Sequence, residues 1–256
     1  MNNILFACDL DNTLLYSWKH RRAGDICVEM IHEREQGFMT PRTVSLLASV
    51  KKLVNFVPVT TRSLEQYRRI VWPAGCDPEY AVVANGAILL KNGEIEESWH
   101  KTSETLISPY RDELLALIPE FEDQRNFLRC RMVDNTYLFA YCGPNVRPED
   151  CVCAYGAGSC LNVVSSGQKV YFFPPEIHKG SALKRLKKQF QPIVTIAAGD
   201  SAIDAPMLNE ANLAIIPAGF PESAVQAPYC KARENETSFS EFVLEAVQKK
   251  YQDCSR

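Results

Sequence analysis

No part of the 256-residue chain approaches the ~18 consecutive apolar side chains that a membrane-spanning helix needs, so no spanning segment is expected. The N-terminus also lacks a charged lead followed by a long apolar stretch. Asp9 arrives too early for a secretion signal. Excess charge of one sign is missing as well, and a net charge of −3 leaves no global footprint for nucleic acid. Ten cysteines are present, but only Cys151-Val152-Cys153 is close-spaced and no pair of Cys-x-x-Cys motifs exists, which argues against a zinc site. Without an export signal these cysteines are expected to be reduced thiols in a cytoplasmic protein, with Cys8 a small core residue. Repeats and low-complexity tracts are absent. What remains is an ordinary globular composition, 46% apolar and 23% charged, enough for one large domain or two moderate ones.

The chain is organised around its first strand. Ile4-Leu5-Phe6-Ala7-Cys8 is apolar without polar alternation, as in a strand buried on both faces of a parallel sheet, and it stops abruptly at Asp9-Leu10-Asp11. Ligands of open α/β sheets sit just beyond the carboxyl ends of such strands. Asp-x-Asp alone could equally be a turn with helix-capping acids.

The rest of the pattern supplies the context. Residues 16–39 read as a hairpin-like flap inserted directly after the Asp-x-Asp loop. Thr40-Pro41 starts an amphipathic helix over 41–54, Phe56–Val59 is a strand, and Ser63 caps a helix running to about Trp72. Pro58 cannot donate to a ladder, which tells against a regular central strand there. Tyr80–Ala84 is a further buried strand closed by Asn85-Gly86. Between Ala87 and His178 the character changes to hairpins and helices with half-buried strands, the turns being marked by Asn92-Gly93, Asp134-Asn135 and Ser166-Gly167. From Gly180 the α/β pattern returns, with a helix over 181–190, a strand ending in Gly199-Asp200-Ser201, a helix from Asp204, a strand over 213–216 and a closing helix over 239–251. The expected architecture is an α/β, three-layer Rossmann-like core with a parallel sheet (1–86 and 179–256, with the flap at 16–39) and an inserted, smaller α+β cap domain (87–178).

Four strand ends then carry polar groups: Asp9 with Asp11, Thr60, the loop bearing Lys179, and Asp200 with Asp204. On parallel neighbours all four would share one edge of the sheet. Clustered carboxylates repel one another unless a cation neutralises them, and oxygen-only ligands suit Mg²⁺. Thr60 and Lys179 could donate to phosphoryl oxygens, and a carboxylate beside the metal could be a nucleophile.

In these motifs the sequence resembles the haloacid dehalogenase superfamily of phosphohydrolases. The matching residues are Asp9-Leu10-Asp11-Asn12-Thr13-Leu14, Thr60 with Arg62, Lys179-Gly180, and Gly199-Asp200-Ser201 with Asp204, in that order. The insert and Asn85-Gly86-Ala87 resemble the α/β-capped Cof-type and sucrose-phosphatase-like branch. The resemblance implies an Mg²⁺-dependent phosphatase of a small phosphorylated metabolite, with sugar phosphates favoured and neither nucleic acid nor membrane as partner. It implies that Asp9 attacks phosphorus to give an aspartyl phosphate, and that Asp11 protonates the leaving alcohol and then activates water. It implies that the Asp9 carboxylate, the Asp11 backbone carbonyl and Asp200 hold the metal, with Asp204 a ligand or the orienter of one. Thr60, Lys179 and, less directly, Thr61 and Arg62 would bind the phosphoryl group or substrate.

The sequence departs from the family pattern at three residues, and its flap at 16–39 is longer than the resemblance to this branch implies. Thr61 stands where glycine is usual, Ile203 replaces an amide, and Asn12 replaces glycine with a residue that tolerates left-handed backbone. Arg62 could instead bridge to a helix carboxylate, and His178 could orient Lys179. The run Lys19-His20-Arg21-Arg22 is expected either to be a solvated face or to lean over the site and meet an anionic part of the substrate. Tyr171-Phe172-Phe173 reads as core packing rather than a stacking platform. A phosphotransferase or mutase on the same site, and a non-catalytic binding module of this fold, stay open as alternatives, and oligomeric state is not legible.

Overall fold

A computed structural model describes residues 3–123, 126–232 and 238–255; the remaining positions of the expected core range lie outside it. In chain order the elements are β1 (Ile4–Cys8), β2 (Tyr16–Ser17), β3 (Ile26–Ile31), β4 (Arg34–Met39), α1 (Pro41–Val50), β5 (Asn55–Pro58), α2 (Leu64–Arg68), β6 (Tyr80–Val83), β7 (Ile88–Lys91), β8 (Glu94–Ile95) and α3 (Glu97–Ile107). They continue with α4 (Arg111–Asp123), β9 (Phe127–Val133), β10 (Tyr137–Cys142), α5 (Pro148–Gly156), β11 (Asn162–Ser166) and β12 (Lys169–Phe173). The chain closes with α6 (Lys179–Phe190), β13 (Val194–Ala198), α7 (Ala205–Leu208), β14 (Leu213–Ile216), β15 (Tyr229–Lys231) and α8 (Phe239–Cys254).

The central sheet is parallel, in the order β15-β14-β13-β1-β5. β1 is buried on both faces, and its alternation divides the core into layers. Ile4, Phe6 and Cys8 pack with Leu47 and Val50 of α1 and Val243, Leu244 and Val247 of α8. Leu5 and Ala7 pack on the other side with Leu183 and Leu186 of α6, Met207 and Leu208. This is the expected three-layer α/β core. Pro58 is tolerated because β5 is the last strand of the parallel sheet, where a missing donor does not interrupt a ladder on both sides. Thr40 caps α1 as expected, its side chain accepting from the Thr43 amide at 2.9 Å.

The flap forms a three-stranded antiparallel sheet, β2-β4-β3. It is stitched to the core by the Val71 amide, which donates to the Val28 carbonyl at 2.8 Å. That pairing explains why the helix expected to reach Trp72 ends at Arg68: the backbone after it pairs with β3 instead.

The cap is a four-stranded antiparallel sheet, β11-β12-β10-β9, covered by α4 and α5 around Phe121, Leu138, Val163 and Phe172. The hairpin β7–β8 and α3 pack elsewhere. β7 pairs with β6, and Leu89 and Trp99 are buried with Leu5, Ala7 and Leu183 beside the parallel sheet. We therefore propose that the cap spans about 108–173 rather than 87–178, with 88–107 an extension of the core.

Candidate active site

Every group at the site stands at the carboxyl end of a core strand or at a helix start facing it. The Asp9 amide donates to the Ala198 carbonyl at 2.9 Å, locking the end of β1 to the end of β13. The loop then turns back on itself, with the Leu14 and Leu15 amides on the Leu10 carbonyl at 2.9 and 2.8 Å, and Asn12 takes the left-handed conformation (φ 58°) allowed to asparagine.

Lys179, the first residue of α6, is 2% exposed, and its Nζ lies 2.5 Å from both Asp9 Oδ1 and Asp204 Oδ1. His178 acts on this lysine only through the helix it caps: its Nδ1 accepts from the Ser181 amide at 3.2 Å. The chain packs so closely here that two glycines are obligatory. A Cβ on Gly180 would lie 2.6 Å from the Pro206 carbonyl oxygen, and one on Gly199 would lie 2.4 Å from Asp204 Cβ.

Asp204 is fully buried and both its oxygens are occupied. Oδ1 holds Lys179, and Oδ2 accepts from the amides of Asp200 and Ser201 (3.1 and 2.9 Å) and from the Ser201 hydroxyl (2.9 Å). It is therefore better placed to fix the turn carrying Asp200 than to ligate an ion. These bonds are made inside the motif, so Ile203 in place of an amide leaves them intact.

Asp9, Asp200 and Asp204 each bring one carboxylate oxygen within 4.8 Å of the others. Burial, followed by the neighbouring acids, raises the Asp9 carboxyl well above its ordinary range despite the pull of Lys179. Burial and the Asp204 charge raise Asp200 to about 6. Lys179 is held protonated: its burial opposes the charge, but Asp204 and Asp9 outweigh it. Three carboxylates against one ammonium leave an excess of buried negative charge. An all-oxygen donor set with that excess fits a hard divalent cation such as Mg²⁺. Asp9, whose Oδ2 meets only the Thr13 hydroxyl at a long 3.5 Å among the described residues, and Asp200 are the side chains better placed to hold it.

Asp11 is separate from this cluster. Its side chain is 51% exposed towards a cavity, and Arg62 grips it with Nε at 2.9 Å and an Nη at 2.7 Å. Burial by the surrounding walls would raise the Asp11 carboxyl; the Arg62 guanidinium overcomes that and holds it below its usual value. The same guanidinium meets Glu29 of β3 at 2.9 Å, and Glu29 (5% exposed) also takes Arg69 at 3.1 Å. Arg62 thus bridges to two carboxylates while lining the same cavity.

Thr60 is fully buried at the end of β5, and its hydroxyl oxygen accepts from the Arg62 amide at 3.1 Å. Thr61 does not adopt positive φ, so its backbone makes no demand for glycine, and its carbonyl accepts from the cap's Tyr137 hydroxyl at 2.5 Å.

A cavity of about 400 Å³ lies over Asp11 between core, flap and cap. Its walls include Thr61 and Arg62 of the core, Glu29 and Gln36 of the flap, and Lys169 and Tyr171 of the cap. The flap therefore does lean over the site, but not through its basic run. Arg21 pairs with Glu35 at 2.5 Å on the exposed side of the flap and covers Phe38, and Arg22 lines a different cavity. Tyr171 and Phe172 point opposite ways along β12: Phe172 belongs to the cap core, while Tyr171 stacks on Phe173 (centroids 5.4 Å apart) and lines the cavity. Sequence reasoning did not place Glu29, Lys169 and Tyr171 at this cavity. Only Glu29, a carboxylate inside the otherwise apolar run Ile26–Ile31, carried a signal that could have revealed it.

No protein-family model matches the chain, and no curated protein matches it. Solved structures do. The sucrose-phosphatase of Synechocystis sp. PCC6803, in complex with sucrose and phosphate, is 16% identical, covers 98% of this chain and 99% of its own, and superposes with a TM-score of 0.66. A haloacid dehalogenase-like hydrolase from B. subtilis is 18% identical over 95% and 98% of the two chains, with a TM-score of 0.62. A trehalose-6-phosphate phosphatase related protein is 17% identical over 99% of each, with a TM-score of 0.57. The chain has the fold of haloacid dehalogenase-type phosphatases, an α/β core with an inserted cap.

Proposed function

We propose that the protein is a phosphomonoester hydrolase acting on a small phosphorylated metabolite. The observation that carries this reading is the buried Lys179 ammonium, 2.5 Å from Asp9 at the end of β1, two residues before the Asp11 that lines the cavity beneath the cap. An ammonium so placed would hold a phosphoryl oxygen against the Asp9 carboxylate, in a reaction that needs positioning and positive charge more than covalent help. Mg²⁺ on Asp9 and Asp200, when bound, would neutralise the acid cluster and the charge on the transferring group.

An Asp9 oxygen forms a bond to phosphorus as the ester P–O bond breaks, and the leaving oxygen takes a proton. In the second half, water attacks the aspartyl phosphate and gives up its proton. Asp11 is suited to the second task as it stands, because Arg62 keeps it ionised. To serve the first, it must carry a proton, which requires the guanidinium to release at least one of its two bonds.

Fold similarity to a sucrose-phosphatase and a trehalose-6-phosphate phosphatase related protein favours sugar phosphates as a first panel. We place the protein in the cytoplasm. Among the described residues no helix is long and apolar enough to cross a membrane, and all ten cysteines are free, as in a reducing compartment. The test is phosphate release from a panel of phosphorylated metabolites and an aryl phosphate, with and without Mg²⁺. Asp9→Asn should abolish it. Release that survives Asp9→Asn contradicts the assignment, and product appearing on an added sugar acceptor instead of water makes the protein a phosphotransferase.

A further inference from the structure

The cavity over Asp11 has an unbalanced charge. Two carboxylates, Asp11 and Glu29, and three cations, Arg62, Arg69 and Lys169, line it. Arg62 is consumed by Asp11 and Glu29, and Arg69 by Glu29 and Glu65. Lys169, the first residue of β12, makes no ion pair among the described residues. Its ammonium sits half-buried, 5.7 Å from the centroid of the Phe139 ring. Burial lowers its pKa, and Arg129 and Arg62 push the same way; Asp11, already gripped through both oxygens by Arg62, is the one carboxylate that favours the charge.

Charged groups taken out of water are ordinarily paired, because an unpaired one forfeits hydration without recompense. Here no described residue supplies an ion-pair partner, and the lysine faces a space of small-molecule size that opens over the proposed acid–base residue. The lining also offers neutral donors and acceptors in Gln36 and Gln66, and Tyr171 gives a flat apolar face. A phosphoryl group at Asp9 would send the alcohol portion of its ester into this space.

We propose that Lys169 binds a second oxyanion, a carboxylate or a further phosphate, on the alcohol portion of the substrate, so that the preferred substrates are phosphomonoesters of anionic alcohols. This rests on the phosphatase reading for the orientation of the ligand. It assigns to the cap strand the role that the sequence suggested for the flap's basic run.

The test uses the full chain carrying Asp9→Asn, which binds without turnover, and calorimetry in Mg²⁺ with two matched pairs: 3-phosphoglycerate against glycerol 3-phosphate, and fructose 1,6-bisphosphate against fructose 6-phosphate. In at least one pair the member with a second anionic group should bind about ten-fold or more tightly than the counterpart whose only anion is the one phosphate. A preference in the first pair identifies a carboxylate, and in the second a phosphate. Adding Lys169→Met should bring the ratio close to one, while Lys169→Arg should keep it, which separates charge recognition from a folding defect. No measurable binding of either member with a second anionic group, equal binding within both pairs, or a preference that persists in Lys169→Met overturns the proposal. Aryl phosphate hydrolysis by the Asp9 protein is measured alongside. Its absence, with the binding preference intact, would count against the phosphatase reading and leave the anion site standing.

Discussion

Glu29→Gln tests whether the flap is an integral part of the site. Glu29 is 5% exposed and receives Arg62 at 2.9 Å and Arg69 at 3.1 Å. The substitution keeps the volume and removes the charge, so both charge-assisted contacts become neutral ones. Arg62 still has Asp11, but Arg69 is left with Glu65, whose side chain is 70% exposed and worth little as a partner. Hydrogen bonds to charged groups contribute about 1.5–3 kcal/mol each, and depriving a buried ion pair of one partner costs roughly 3–5 kcal/mol. With one of the two arginines partly compensated, a loss of roughly 2–3 kcal/mol is expected. For a chain of this size that is a fall in Tm of about 4–12 °C, readable by thermal unfolding. Arg62 would also hold Asp11 less rigidly, so kcat should fall while the Tm loss is corrected for by assaying well below the transition. A Tm within about 1 °C of the unaltered protein would refute the reasoning, because Glu29 would then be a solvated surface acid.

Four further outcomes follow from the geometry. Gly199→Ala puts a Cβ 2.4 Å from Asp204 Cβ and must displace the turn that carries Asp200, so Mg²⁺ binding measured by calorimetry should weaken more than ten-fold even where the protein stays folded. Asp200 titrates near 6 in the metal-free protein, above the ordinary aspartate value, so between about pH 4 and 6 the folded state binds more protons than the unfolded one. Metal-free stability should therefore decline as pH rises through 6, and the gain in Tm given by Mg²⁺ should be larger at pH 7.5 than at pH 5. Arg21→Ala removes an exposed pair (side chains 52% and 42% exposed) and should shift stability by less than about 1 kcal/mol and leave KM unchanged. Tyr137→Phe deletes the bond that ties the cap to the Thr61 carbonyl, at a cost of about 1 kcal/mol by thermal unfolding.

The sequence was most legible where burial and chemistry coincide. An apolar run with no alternation, as in β1, can sit only inside a parallel sheet, and acids at the end of such strands have one edge to gather on. The helix α3 was not legible because its exposed faces are threonine, serine and charged residues; only Trp99, Ser103 and Ile107 are buried, too sparse a stripe to read as a period. The cap boundary we propose differs from the one expected for a related reason: the turn at Asn92-Gly93 announces a hairpin but says nothing of which sheet it joins. That Arg62 bridges to a carboxylate was one of the two readings the sequence allowed, but the partners, Asp11 and a strand residue rather than a helix one, could not be read. Its partner Glu29 lies in a flap whose return over the site depends on a backbone pairing between Val71 and Val28. The same holds for Lys169, which reaches the cavity only because the alternation of β12 turns Lys169 and Tyr171 one way and Phe172 the other.

The central claim is that Asp9 carries the phosphoryl group. The most direct measurement is acid quenching of the protein during turnover of an aryl phosphate with Mg²⁺, followed by peptide mapping for the site of phosphorylation. The account requires a phosphoryl group on the peptide containing Asp9, absent from the Asp9→Asn variant. Turnover with no phosphorylated peptide, or with the group on any other residue, would contradict it.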